Sequence, residues 1–60
     1  MRTFTCFTSE SGSSVPTLSI VLAENEDRVL RLVQRELMLN QLATSVDVYE
    51  DDKLLWTEQA

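Results

Sequence analysis

In Thr17-Leu18-Ser19-Ile20-Val21-Leu22-Ala23-Glu24-Asn25-Glu26-Asp27-Arg28-Val29-Leu30-Arg31-Leu32-Val33 the apolar residues change their spacing half-way along, which marks a strand running into a helix. Up to Ala23, Leu18, Ile20 and Leu22 alternate with Thr17, Ser19 and Val21, the period of a strand. Pro16 stands just ahead, where its missing N–H removes no interior ladder bond. Glu24-Asn25-Glu26-Asp27 then reads as a helix start. Asn25 suits the N-cap, accepting a hydrogen bond from an otherwise orphaned amide, and the acids favour the positive end of the helix dipole. Beyond it, Val29, Leu30, Leu32, Val33, Leu37 and Leu39 cover roughly half the circumference at about 100° per residue, so the helix runs to about Asn40. Glu24 with Arg28 and Asp27 with Arg31 are i,i+4 pairs in the favourable acid-first order, each worth about 0.3 kcal/mol on an exposed face.

Working outward, Arg2–Thr8 is rich in Thr and Phe and reads as a first strand, with Phe4 and Cys6 on one face and Thr3, Thr5 and Phe7 on the other. Residues 9–14 hold the only Gly among Ser and Glu, the composition of a mobile hairpin loop. Downstream, Thr44–Glu50 alternates with Val46 and Val48 inward, and Lys53–Glu58 follows an acidic turn, which makes a second hairpin. A loop of Asp51-Asp52-Lys53 is expected, setting Glu50 opposite Leu54 and Val48 opposite Trp56, with Val46, Val48, Leu54 and Trp56 on one face. A two-residue loop would bring Leu55 to that face instead. The expected fold is a small α+β, ββαββ domain spanning residues 1–60. Its four-stranded, mainly antiparallel sheet has the order 2-1-3-4, with the helix across one face.

Composition narrows the function classes. The 60 residues carry 10 acids against 5 bases, a net charge of −5, and no His. Duplex binding draws on Lys and Arg, and the cluster of Arg28, Arg31 and Arg35 is neutralised by its acidic neighbours, so nucleic acid is excluded as a partner. Without His, the common general bases, nucleophile pairs and transition-metal sites fall away, and no cofactor is expected. Cys6 is the only cysteine, so no intrachain disulfide forms, which fits a reducing, cytoplasmic setting. No apolar run approaches the about 18 residues of a membrane span, and the Arg2-Thr3-Phe4-Thr5 opening lacks a signal peptide's apolar core.

The acidity concentrates in residues 44–60, which hold Asp47, Glu50, Asp51, Asp52 and Glu58 against Lys53 alone. Consecutive acids at a turn lack the alternating spacing and sharp-bend Gly of a calcium loop and read as a solvated tip, so no metal site is expected. Cys6, between Phe4 and Phe7, reads as a buried hydrophobe with no neighbouring cation to stabilise a thiolate. Glu36 falls inside the helix's apolar arc with Asn40 one turn later. Either this end of the helix overhangs the sheet, or Glu36 pairs with an Arg of a second subunit.

Residues 18–33, with Val46-Asp47-Val48-Tyr49-Glu50-Asp51, resemble the opening strand, acidic cluster, helix and second strand of response-regulator receiver domains. In that family the acids after the first strand help bind Mg2+, and Glu24 and Asn25 fall at those places. The family's phosphate-accepting Asp and later Lys have no counterpart, so the resemblance implies no phosphotransfer.

The helix arc is wider than one small sheet needs. The expectation is therefore a non-catalytic protein–protein interaction module that self-associates as a homodimer, with Leu32, Glu36, Leu39 and Leu42 as its candidate interface. The alternative is an acidic accessory protein that docks on a basic partner through Asp47, Glu50, Asp51 and Asp52. An enzyme with a site between subunits ranks last, because capping, helix pairs and the turn already account for the carboxylates.

Overall fold

The computed structural model describes all residues, Met1–Ala60. Strand β1 is Arg2–Glu10, β2 Thr17–Ala23, helix α1 Glu26–Leu39, β3 Ala43–Glu50 and β4 Lys53–Gln59. The strands form one sheet in the order β2-β1-β3-β4, each neighbouring pair antiparallel, and α1 packs on one face. This is the expected α+β architecture and strand order. Because β1 lies between β2 and β3 and runs antiparallel to both, the resemblance to receiver domains ends at the local strand-and-helix pattern.

The helix begins and ends on asparagines. The Arg28 amide donates to Asn25 Oδ1 at 2.9 Å, so Asn25 is spent on the cap. At the other end the Asn40 amide donates to the Glu36 carbonyl at 2.8 Å. The Asn40 side chain accepts from the Leu42 amide at 3.1 Å through Oδ1 and donates to Glu10 at 2.7 Å through Nδ2. That last bond ties the helix C-terminus to the end of β1. Of the two acid-first pairs, Asp27–Arg31 forms at 3.1 Å on an exposed face, whereas Glu24 lies ahead of the N-cap and makes no ion pair.

Phe4, Cys6, Ala23, Val29, Val33, Val46 and Val48 make the core, with Val21, Leu37, Leu55 and Trp56 packed against it. Only 9 of 60 residues are buried, so each core side chain carries a large share of the stability. Cys6 is among them, as its sequence neighbourhood predicts, and burial pushes its thiol pKa up, which disfavours the reactive thiolate. The Trp56 indole N–H is buried without an acceptor.

Three local expectations need correction. β1 extends through Ser9 and Glu10, which pair with Ser45 and Ala43 across a register shift, so the strand takes up two residues assigned to the loop. Gly12 then turns the chain with φ 84°. In the second hairpin Glu50 pairs with Lys53, leaving a two-residue loop, Asp51-Asp52, with φ of 51° and 65°. Positive φ at both central positions is what a type I′ hairpin turn requires, and Asp tolerates it.

A two-residue loop shifts the register by one, yet Val48 still pairs with Trp56, because the ladder is irregular between Val48 and Tyr49 and leaves Leu55 as the extra residue of a bulge. Tyr49 faces Leu54, so Leu54 is exposed, and Leu55 with Trp56 packs on the core in its place.

Candidate functional site

The register of β2 decides which surfaces are free. Phe4 pairs with Val21 and Cys6 with Ser19, so these residues and Ala23 face the helix side. Thr3, Thr5 and Phe7 pair with Leu22, Ile20 and Leu18, which therefore share the opposite, uncovered face. Leu18, Ile20 and Leu22 are 57%, 59% and 63% exposed. Phe7 and Tyr49 pack edge to face beside them, ring centres 5.5 Å apart. Tyr49 shares its ladder rung with Leu54. Asp47, opposite Phe7, is the one charged side chain the strand alternation places here, and it accepts from Thr57 Oγ1 at 2.7 Å.

The other face is incompletely covered. Helix α1 leaves bare the Thr17–Ser19 end of the helix-side surface of β2, where a half-open groove of about 280 Å³ runs past Thr17, Ser19 and Val21 on one wall and Leu32 and Val33 on the other. Cys6 and Thr8 line its floor, and Glu10, Glu36 and Asn40 complete the lining.

The proposed interface residues divide between two places. Leu32, Glu36 and Leu39 share a helix stripe at i, i+4 and i+7, of which Leu32 and Glu36 border the groove. Leu39 and Leu42 are exposed at and beyond the helix end. Glu36 makes no ion pair.

The four acids of the proposed docking surface do not form one patch. Asp47 lies on the open face, and Asp51 and Asp52 are exposed at the turn. Glu50 sits on the helix side, gripped by Arg2 through Nε at 2.8 Å and Nη2 at 2.6 Å. Arg2 also reaches Glu26 in the first turn of α1 at 3.3 Å, and its guanidinium lies 4.9 Å from the centre of the Phe4 ring. One side chain thus ties β1, β3 and the helix N-terminus together. Sequence reading missed this clamp because Arg2 and Glu50 are 48 positions apart.

The hydrogen bonds from Arg2 hold the Glu50 carboxyl below the ordinary carboxylate range. A carboxyl depressed in the folded state contributes stability that is present above its unfolded pKa, about 4.3, and is lost as pH falls through the folded value. We expect Glu50→Gln to be less stable than the native chain near neutral pH and to converge with it in acid. Urea unfolding across about pH 3 to 7 measures this, and a pH-independent difference would contradict it.

No group of three or more Cys, Asp or Glu side chains converges in a metal-binding arrangement. No helix is long and apolar enough to cross a membrane. In comparisons with family models, curated proteins and solved structures, none matches this chain.

Proposed function

We propose that the chain is a non-catalytic interaction module that forms a homodimer through its open sheet face. The observation that carries this reading is the row of Leu18, Ile20 and Leu22 in solvent beside the Phe7–Tyr49 pair. A second copy fits the face in size. The sheet lies within the two larger extents of the chain, 33 and 21 Å, so the face is broad enough for a second copy to lie across it. The small core supplies the motive, because a 60-residue chain whose single cysteine allows no intrachain disulfide gains stability by association. The lone free thiol supports a cytoplasmic setting for this dimer.

Concentration-dependent NMR shifts test the surface. They are expected at Leu18, Ile20, Leu22, Phe7 and Tyr49, and shifts confined to Leu39 and Leu42 would move the interface to the helix end. Asp47 opposes dimerisation by bringing a charge into each covered face. Asp47→Asn is expected to tighten the dimer about tenfold; an unchanged dimer in the same titration would mean that Asp47 stays outside the interface, and a weaker one that its charge is paired across it. Docking of Asp47, Glu50, Asp51 and Asp52 on a basic partner has less support, since Glu50 is held by Arg2 and Asp47 lies on another face.

A further inference from the structure

The two edges of the sheet differ. β4 carries Lys53 and Glu58 and is bent by the bulge at Leu55, features that discourage pairing with another strand. β2, the other edge, has seven residues, Thr17–Ala23, with no charge, no bulge and no interior Pro. Its outer rim presents unpaired backbone groups to any extended chain.

A strand added there would lie beside Thr17, Ser19 and Val21 and send alternate side chains into the groove that these residues line with α1. The groove has apolar walls, Val21, Leu32 and Val33, and two carboxylates, Glu10 and Glu36, without a base among its lining residues or an ion pair to either acid. Glu10 accepts one hydrogen bond, from Asn40. A second feature points the same way. Thr8 on the floor is only 7% exposed, and its hydroxyl takes part in none of the side-chain hydrogen bonds of the chain.

We propose that the free edge of β2 takes up an extended segment of a different protein, whose Lys or Arg side chain lies in this groove with its cationic end at Glu36 and Glu10. The aliphatic stem lies along Leu32 and Val33, and the flanking residues extend the open face beside Leu18, Ile20 and Leu22. A second copy does not supply this segment. The only bases within its strands are Arg2, already clamped by Glu26 and Glu50, and Lys53, next to the acidic turn on the bulged edge. Pairing two β2 edges about a two-fold axis would also align both grooves, with four carboxylates and no cation between them.

The groove lies on the opposite side of the sheet from the proposed dimer face, which the added strand borders only along the β2 edge. The probe is a capped peptide of the length of β2, 7 residues, alternating valine and threonine with a lysine at the centre. Added to the native chain and followed by NMR, it is expected to shift the amides of Thr17, Ser19 and Val21 and to bind at least tenfold more tightly than the same peptide with norleucine for lysine. Glu36→Gln, a change at an exposed side chain, is expected to weaken the lysine peptide about tenfold and leave the norleucine peptide unchanged, while Glu58→Gln alters neither. Equal binding of the two peptides, shifts away from β2, or no binding at all would overturn the proposal. Sedimentation of the same samples separates it from the dimer: peptide binding that adds only the mass of the peptide agrees with a separate site, and binding that dissociates a dimer contradicts it.

Discussion

Phe4→Ala unfolds the chain at 25 °C. Phe4 is 0% exposed at the centre of the core, packed with Cys6, Val29, Val46 and Val48 and capped by the Arg2 guanidinium. Truncating a buried Phe costs about 3–5 kcal/mol, the lost transfer energy plus the cavity left behind. A single core in a chain of this size rarely supplies more than about 3–5 kcal/mol, so one substitution removes nearly all of it. Circular dichroism should show loss of the native signal for this variant, with recovery for Phe4→Leu, which refills most of the volume. A cooperative native-like transition in Phe4→Ala would show that the core lies elsewhere. Ile20→Ala is the control, because Ile20 is mostly exposed in the single chain and its truncation leaves the fold intact.

Ile20→Lys separates folding from association. Lysine at this exposed strand position keeps the monomer fold but places a charge on the face proposed to meet a second copy. Burying an Ile side chain contributes about 1.5–3 kcal/mol, and a two-fold interface loses that contribution twice, so the dimer dissociation constant rises roughly a hundredfold or more. The far-ultraviolet spectrum should be retained while the concentration dependence of thermal unfolding disappears, since only association links the two. An Ile20→Lys variant that associates as the native chain does would free this face from the interface.

Much of the architecture was legible in local patterns. The alternation of Leu18, Ile20 and Leu22, the cap at Asn25 and the Val46–Val48 spacing defined the elements, and a right-handed crossover from β2 to β3 that leaves room for β1 between them gave the strand order. The face of β2 that meets the helix runs against the local pattern, because Leu18, Ile20 and Leu22 are more apolar than Thr17 and Ser19, yet Val21 and Ala23 are the residues that reach the core. That choice is made by the register with β1, a long-range pairing. The hairpin register was hidden in the same way: Leu54 and Leu55 are identical side chains, and the bulge decides which of them is covered.

Of the candidate sites, Glu36 stood out in sequence as a carboxylate inside an apolar arc, and the structure gives that anomaly a place, at the groove that α1 leaves over β2. The groove itself depends on where the helix settles on the sheet, and the Arg2 clamp on residues far apart in the chain. Neither leaves a mark within a short window of sequence.

Joining of two copies through the open face would make the mass of the native chain depend on its concentration. Sedimentation equilibrium of the native chain from low to high micromolar concentration is expected to show a mass rising from 6.9 kDa toward twice that value, with Ile20→Lys remaining at 6.9 kDa throughout. A native chain that stays a single 6.9 kDa species over the whole range would contradict it.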